Sequence, residues 1–248
     1  MRLLQNIPYS ETPDDVHVMD VYLPEKGNGS LFFYVHGGGL EFGDKTEFDT
    51  AARYLAEKGY AIASINYRMY PAAHYPDFLW DAAEAVHFVK EHLPEYGAEK
   101  LYVGGSSAGG YVSMMLCFDP QYLAGFGMSN ADIAGYFHDA GQPTAHFRVL
   151  KEKGMDGRRV IVDDTCALYH VGTQEDYPPM RFIVSDNDLQ NRYEQTVLML
   201  STLNHFGFRK ADHQVMHGNH CAYIVAVDEQ GISIFGQMIE AFLQKVAG

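Results

Sequence analysis

Short apolar runs alternate along this chain with amphipathic segments of helix length, and that rhythm restricts its fold more than any other sequence feature. LFFYVH (Leu31–His36), YAIASIN (Tyr60–Asn66), LYVGG (Leu101–Gly105) and RFIVS (Arg181–Ser185) are near-continuous apolar runs, as expected of strands covered on both faces. Phe48–Lys58, Asp77–Leu93, Ser107 towards Phe118, Arg192–Phe206 and Gly231–Val246 read as helices. Leu79, Ala82, Ala83, Val86 and Val89 form one stripe before Pro94 stops that segment, and Phe235, Ile239, Phe242 and Val246 form another. Leu3–Ser10 and Val16–Leu23, joined by a Pro/Asp turn, read as an antiparallel hairpin, and Phe208–Met216 as the last strand. Strands alternating with helices predict an α/β fold with a mostly parallel sheet between two helical layers.

Two stretches fit less easily. Leu123–Met128 is a short strand-like run, and Ser129–Pro179 then shows no clear strand over about 50 residues, too long for an ordinary connection. Residues 129–179 are therefore expected to form a small cap inserted in a single domain of residues 1–248, with two plain crossover helices as the alternative.

Composition removes several function classes. The chain is 47% apolar and 20% charged, a balance that supports a folded core. Eighteen basic against 32 acidic side chains leave a net charge of −14, which disfavours nucleic acid and anionic membrane surfaces while leaving room for a local basic pocket. No apolar run is long enough to span a bilayer, and the first fifteen residues lack a leader pattern. Cys117, Cys166 and Cys221 are scattered and odd in number, so a reducing, cytoplasmic setting is expected.

The chemistry concentrates at Gly104–Gly110. Within it, Gly105-Ser-Ser-Ala-Gly109 places Ser107 between two glycines, after an apolar strand and before a helix. Small neighbours are what a strand-to-helix turn demands when its apex side chain must stand clear of the backbone. A serine nucleophile needs a base, and the base needs a carboxylate. Asp186 and Asp188 follow the RFIVS strand, with Asp188 preferred because it lies further into the loop. His217 and His220 follow the last strand, with His220 preferred as base and His217 as strand-end support. Chain order would then be Ser, Asp, His. His36-Gly-Gly-Gly39 ends another strand and offers unobstructed backbone N–H donors; Gly38, Gly39 and Ala108 are the candidates for an oxyanion. No P-loop or dinucleotide fingerprint occurs, and H213-x-x-x-H-x-x-H220 lacks a metalloprotease pattern, so neither cofactor nor metal is expected.

HGGG (His36–Gly39), NYRMYP (Asn66–Pro71), GGSSAGG (Gly104–Gly110) and the tail motifs PPMRFIVSDND (Pro178–Asp188) and HGNH (His217–His220) together resemble the α/β-hydrolase superfamily, specifically the hormone-sensitive-lipase-like and small acetyl and feruloyl esterases. The resemblance implies a three-layer fold on an eight-stranded sheet, with Ser107 as nucleophile, Asp188 as acid and His220 as base. It also implies that His36, Tyr67, Arg68 and Asp81 support the active-site loops. Two positions depart from the pattern: Ala72 where relatives carry an acid, and Cys221 where they often carry glycine. The expected activity is serine-dependent hydrolysis of short-chain, acetyl-type esters, carbohydrate esters included; a feruloyl esterase or a non-catalytic small-molecule-binding protein are the alternatives.

Overall fold

The chain, described by a computed structural model over residues 1–11 and 14–247, opens with β1 (Arg2–Pro8) antiparallel to β2 (Val18–Leu23). Pro13 of the expected turn between them lies outside the described residues. Then follow β3 (Gly29–Val35), α1 (Asp49–Glu57), β4 (Ala61–Ile65), α2 (Asp77–Glu91), β5 (Ala98–Ser106), α3 (Ala108–Phe118) and α4 (Pro120–Ala124). The second half contains β6 (Gly135–Asp139), α5 (Phe147–Glu152), α6 (Ala167–His170), β7 (Met180–Asn187), α7 (Arg192–His205), β8 (Ala211–Asn219) and α8 (Ile234–Ala247). All eight strands join one sheet in the order β1-β2-β4-β3-β5-β6-β7-β8, parallel from β4 through to β8.

The period of two along each central strand divides the core. Leu31, Phe33 and Val35 of β3 join a cluster with Leu79, Val86 and Val112 from α2 and α3. Phe32 and Tyr34 face the opposite way, into a cluster with Leu55 of α1 and Phe235, Ile239 and Phe242 of α8. A continuous apolar run is thus the signature of a strand with a helical layer on each side. Burying each such Phe contributes about 1.5–3 kcal/mol, and truncating Phe33 to Ala would cost about 3–5 kcal/mol. Among the described residues, no helix is long and apolar enough to cross a membrane.

Two expectations need correction. The strand between β5 and β7 is not Leu123–Met128 but β6, inside the stretch that showed no clear strand. Its sequence, GYFHD, carries a histidine and an aspartate, yet all five residues are buried. Leu123 and Ala124 instead close the short helix α4, whose first residue is Pro120 and whose N-cap Asp119 accepts the Gln121 N–H at 3.1 Å.

Candidate active site

The parallel strands β5 and β7 and the edge strand β8 deliver their C-terminal ends to one rim of the sheet, where open α/β folds collect their reactive groups. At the end of β5 the chain reverses through Ser107, whose backbone has φ 54° and ψ −112°. The flanking glycines are sterically obligatory. A Cβ on Gly105 would sit 2.4 Å from the Gly109 carbonyl oxygen, and one on Gly109 would sit 2.0 Å from that of Val35. The turn is held from both sides: the Ser107 N–H donates to the Asp139 carbonyl at 2.8 Å, and the Tyr111 N–H donates to the Ser107 carbonyl at 3.0 Å.

Ser107, His220 and Asp188 come together. His220 Nε2 lies 2.8 Å from Ser107 Oγ, and its Nδ1 lies 2.5 Å from Asp188 Oδ1. The Asp188 carboxylate also accepts the Ser185 N–H (3.1 Å) and the Leu189 N–H (2.7 Å). Burial raises its pKa, but the His220 hydrogen bond and charge, with those two amides, outweigh burial and hold the carboxyl below its ordinary value. Asp188 is therefore an ionised acceptor that fixes the His220 tautomer, leaving Nε2 to face the hydroxyl.

A second aspartate–histidine pair stands beside the first. His217 Nδ1 is 2.5 Å from Asp186 Oδ2, whose other oxygen accepts the Gly218 N–H at 2.9 Å. The His217 side chain is 98% exposed, against 20% for His220 and 1% for Asp188. An exposed pair of this kind contributes little to stability, and it links the ends of β7 and β8.

The triglycine loop lies against the elbow: a Cβ on Gly37 would be 3.2 Å from Ser107 Cβ. Gly38 (φ +103°) is the position no other residue can occupy, since a Cβ there would fall 1.7 Å from the Phe42 carbonyl oxygen. Gly38 and Gly39 line the same cavity of about 350 Å³ as Ser107, His220, Phe147, Leu189 and Ile224. Ala108 begins α3, so its N–H has no acceptor within the helix. Gly38 and Gly39 thus share the cavity of Ser107, and Ala108 follows it directly in the chain.

His36, Tyr67, Arg68 and Asp81 meet in two sets of contacts. The buried His36 ring stacks on Tyr67 with centroids 4.6 Å apart, and the Tyr67 hydroxyl donates to the His36 carbonyl at 3.0 Å. Burial lowers the His36 pKa to about 4, so the ring is neutral and its Nδ1 donates to the Gly37 carbonyl at 2.8 Å. Arg68 forks onto buried Asp81, with Nη2–Oδ1 2.6 Å and Nε–Oδ2 3.0 Å, while its N–H donates to Oδ2 at 2.9 Å. His17 adds a contact to Asp81 at 3.3 Å.

Several participants escape sequence reasoning. Asp139 is buried at the end of β6 and accepts a short hydrogen bond from the Tyr223 hydroxyl; burial raises its carboxyl pKa to about 6. No local pattern marks it, because β6 itself is not marked. Arg192, at the start of α7, is buried and donates to the Ala140 carbonyl. Cys221 has φ 57° and Sγ 3.6 Å from His220 Nε2, and burial pushes its thiol pKa up, which keeps it protonated and a poor nucleophile. Among the described residues, no group of three or more His, Cys, Asp or Glu is arranged to hold a metal ion.

A family model described as BD-FAE matches residues 19–131. Curated relatives include a probable carboxylic ester hydrolase, LipM, of Mycobacterium tuberculosis, 33% identical over 40% of this chain and 25% of that one. Another is a bovine arylacetamide deacetylase, 32% identical over 47% of this chain and 33% of that protein. The chain matches only 23% to 42% of the length of such relatives. In three dimensions it superposes on esterase B of Lactobacillus rhamnosis with a TM-score of 0.80 and 18% identity, covering 99% of this chain and 86% of that one. A carbohydrate esterase from gut microbiota gives 0.79 and 18%, covering 100% and 97%. The sheet order and these superpositions show the α/β-hydrolase fold, and the matched stretches make the chain similar to carboxylic ester hydrolases.

Proposed function

We propose that the protein is a serine hydrolase of short-chain, acetyl-type carboxylic esters, carbohydrate esters among them. One observation carries the proposal: His220 sits between Ser107 Oγ (2.8 Å) and Asp188 Oδ1 (2.5 Å), within reach of both. His220 takes the hydroxyl proton as Ser107 attacks the ester carbonyl, and the Gly38, Gly39 and Ala108 amides hold the oxyanion. The leaving alcohol receives that proton from His220, and water repeats the cycle on the acyl-enzyme. His36, Tyr67, Arg68 and Asp81 hold the loops that carry these groups.

Supporting the substrate class, one relative is an acetyl esterase of Salmonella, and a thermophilic esterase of similar fold was solved with propionate bound. We assign residues 140–179 to a small cap, because Phe147 of α5 lines the catalytic cavity and Arg148 pairs with Glu41 beyond the triglycine loop. The three free cysteines fit a reducing, cytoplasmic setting. The test is burst-phase release of 4-nitrophenol from 4-nitrophenyl acetate: a burst of one equivalent per chain followed by turnover is expected, and no release above the Ser107→Ala background overturns the proposal.

A further inference from the structure

We propose that a basic cleft next to the catalytic cavity binds a carboxylate carried by the ester substrate, a reading that rests on the hydrolase activity proposed above. The cleft measures about 220 Å³ and its lining includes Arg158, Arg159, Arg192, Gln190 and Asn191, with no carboxylate. Phe147 and Leu189 line this cleft and the catalytic cavity alike. A single molecule crossing that apolar divide therefore places its reactive carbonyl at Ser107 and its far end among guanidinium groups.

The charge balance inside the cleft is positive. Arg158 forks onto Asp156 (Nη2–Oδ2 2.5 Å, Nε–Oδ1 3.0 Å), which spends that carboxylate. Among the described residues, neither Arg159 nor Arg192 has a carboxylate within 4.0 Å. Arg192 is 4% exposed and hydrogen-bonds only backbone and amide oxygens, at Ala140 and Gln142. The Asp188 carboxylate, hydrogen-bonded to His220, is the charge that acts on this buried guanidinium, which leaves Arg159 as the cleft's arginine without a carboxylate partner among the described residues. Asn191 and Arg192, at the start of α7, both line the cleft, and Asn191 gives that helix no side-chain cap.

Arginine forks match the two oxygens of a carboxylate. The overall charge of −14 does not prevent this, since at physiological salt charges are screened over about 8 Å and the groups lining the cleft dominate. An ester of a dicarboxylic acid would present the carboxylate on its acyl side; an acetylated uronic acid would present it on its alcohol side.

The test uses wild type and the double variant Arg158→Gln/Arg159→Gln, both residues being exposed and outside the catalytic machinery. One arm compares kcat/KM for mono-4-nitrophenyl glutarate with 4-nitrophenyl valerate, and the other compares acetylated galacturonic acid with acetylated galactose. In one arm the variant is expected to lose about tenfold on the charged ester, roughly one charge-assisted fork, while the neutral ester changes less than about twofold. A charged-to-neutral ratio unchanged by the substitutions in both arms overturns the cleft. Failure of wild type on the neutral esters would instead overturn the hydrolase reading. In that event calorimetric titration of Ser107→Ala with glutarate decides the cleft, heat abolished by the two substitutions supporting it and an absence of heat, or heat they leave unchanged, overturning it.

Discussion

The Ser107 N–H donates to the Asp139 carbonyl at 2.8 Å, so the end of β6 holds the serine elbow through its backbone. The Asp139 side chain reaches the other way and accepts from Tyr223, three residues beyond His220. One residue thus ties the elbow to the histidine loop, and both links are buried.

Removing the second link should misplace the histidine. Tyr223→Phe leaves Asp139 short of a buried donor, a loss of about 1–3 kcal/mol. For a domain of this size that lowers Tm by about 2–4 °C per kcal/mol. The expected kinetic effect is a fall in kcat with KM little changed, measured on 4-nitrophenyl acetate. Wild-type kcat in the variant would remove Asp139 and Tyr223 from any positioning role.

The two aspartate–histidine pairs predict opposite outcomes from like substitutions. His220→Ala and Asp188→Asn should each lower kcat by about ten-thousandfold, because one removes the base and the other favours the wrong tautomer. His217→Ala and Asp186→Asn alter only an exposed pair and should stay within about twofold. Ser107→Ala abolishes turnover with Tm preserved, while Ser106→Ala, which does not touch His220, keeps most activity. Equal loss in the His217 and His220 variants would undo the assignment.

Buried histidines set the acid limit of the fold. Burial lowers the pKa of His36 to about 4, of His138 to about 3 and of His146 well below its ordinary value. His146 Nδ1 accepts the Arg148 N–H at 3.2 Å, which also requires the neutral ring. Below pH 6.5 the unfolded chain binds protons that the folded histidines refuse, so stability falls with pH down to about 4, by about 4 kcal/mol per pH unit for three rings. Asp139 opposes this between its unfolded value and about 6, since there the folded state holds the extra proton, worth about 1.4 kcal/mol per unit. The histidines win. Urea midpoints should drop steeply from pH 6.5 to 4.5, and His138→Gln should flatten the slope; a midpoint independent of pH would contradict the assignment.

What could be read from the residues follows from how each is buried. LFFYV and RFIVS declare themselves because every side chain is apolar and both helical layers cover them. GYFHD is equally buried but hides its nature: His138 is accommodated by Ser113 Oγ at 2.9 Å and Asp139 by Tyr223, partners distant in sequence. The elbow, the triglycine loop and the His220–Asp188 pair were legible because each chemistry demands particular residues at a fixed spacing. The arginine cleft was not, since Arg158–Arg159 and Arg192 meet only after β7 and α7 have folded.

Acyl preference follows from the catalytic cavity. About 350 Å³ is shared between acyl group, alcohol and attacking water, and its apolar walls include Tyr34, Phe147, Leu189, Ile224 and the rim residue Phe42. Phe42 is 68% exposed, so a chain leaving the cavity there meets solvent on its other side. Each methylene that the cavity buries gains about 0.8 kcal/mol, close to fourfold in kcat/KM, and each one beyond it gains nothing and adds conformational entropy to be lost. Rates on 4-nitrophenyl esters should therefore peak at two to four carbons and decline afterwards. A continued rise to ten or twelve carbons would mean that residues 140–179 open into a deep apolar channel, and Phe147→Ala would then be expected to lower the long-chain rates most.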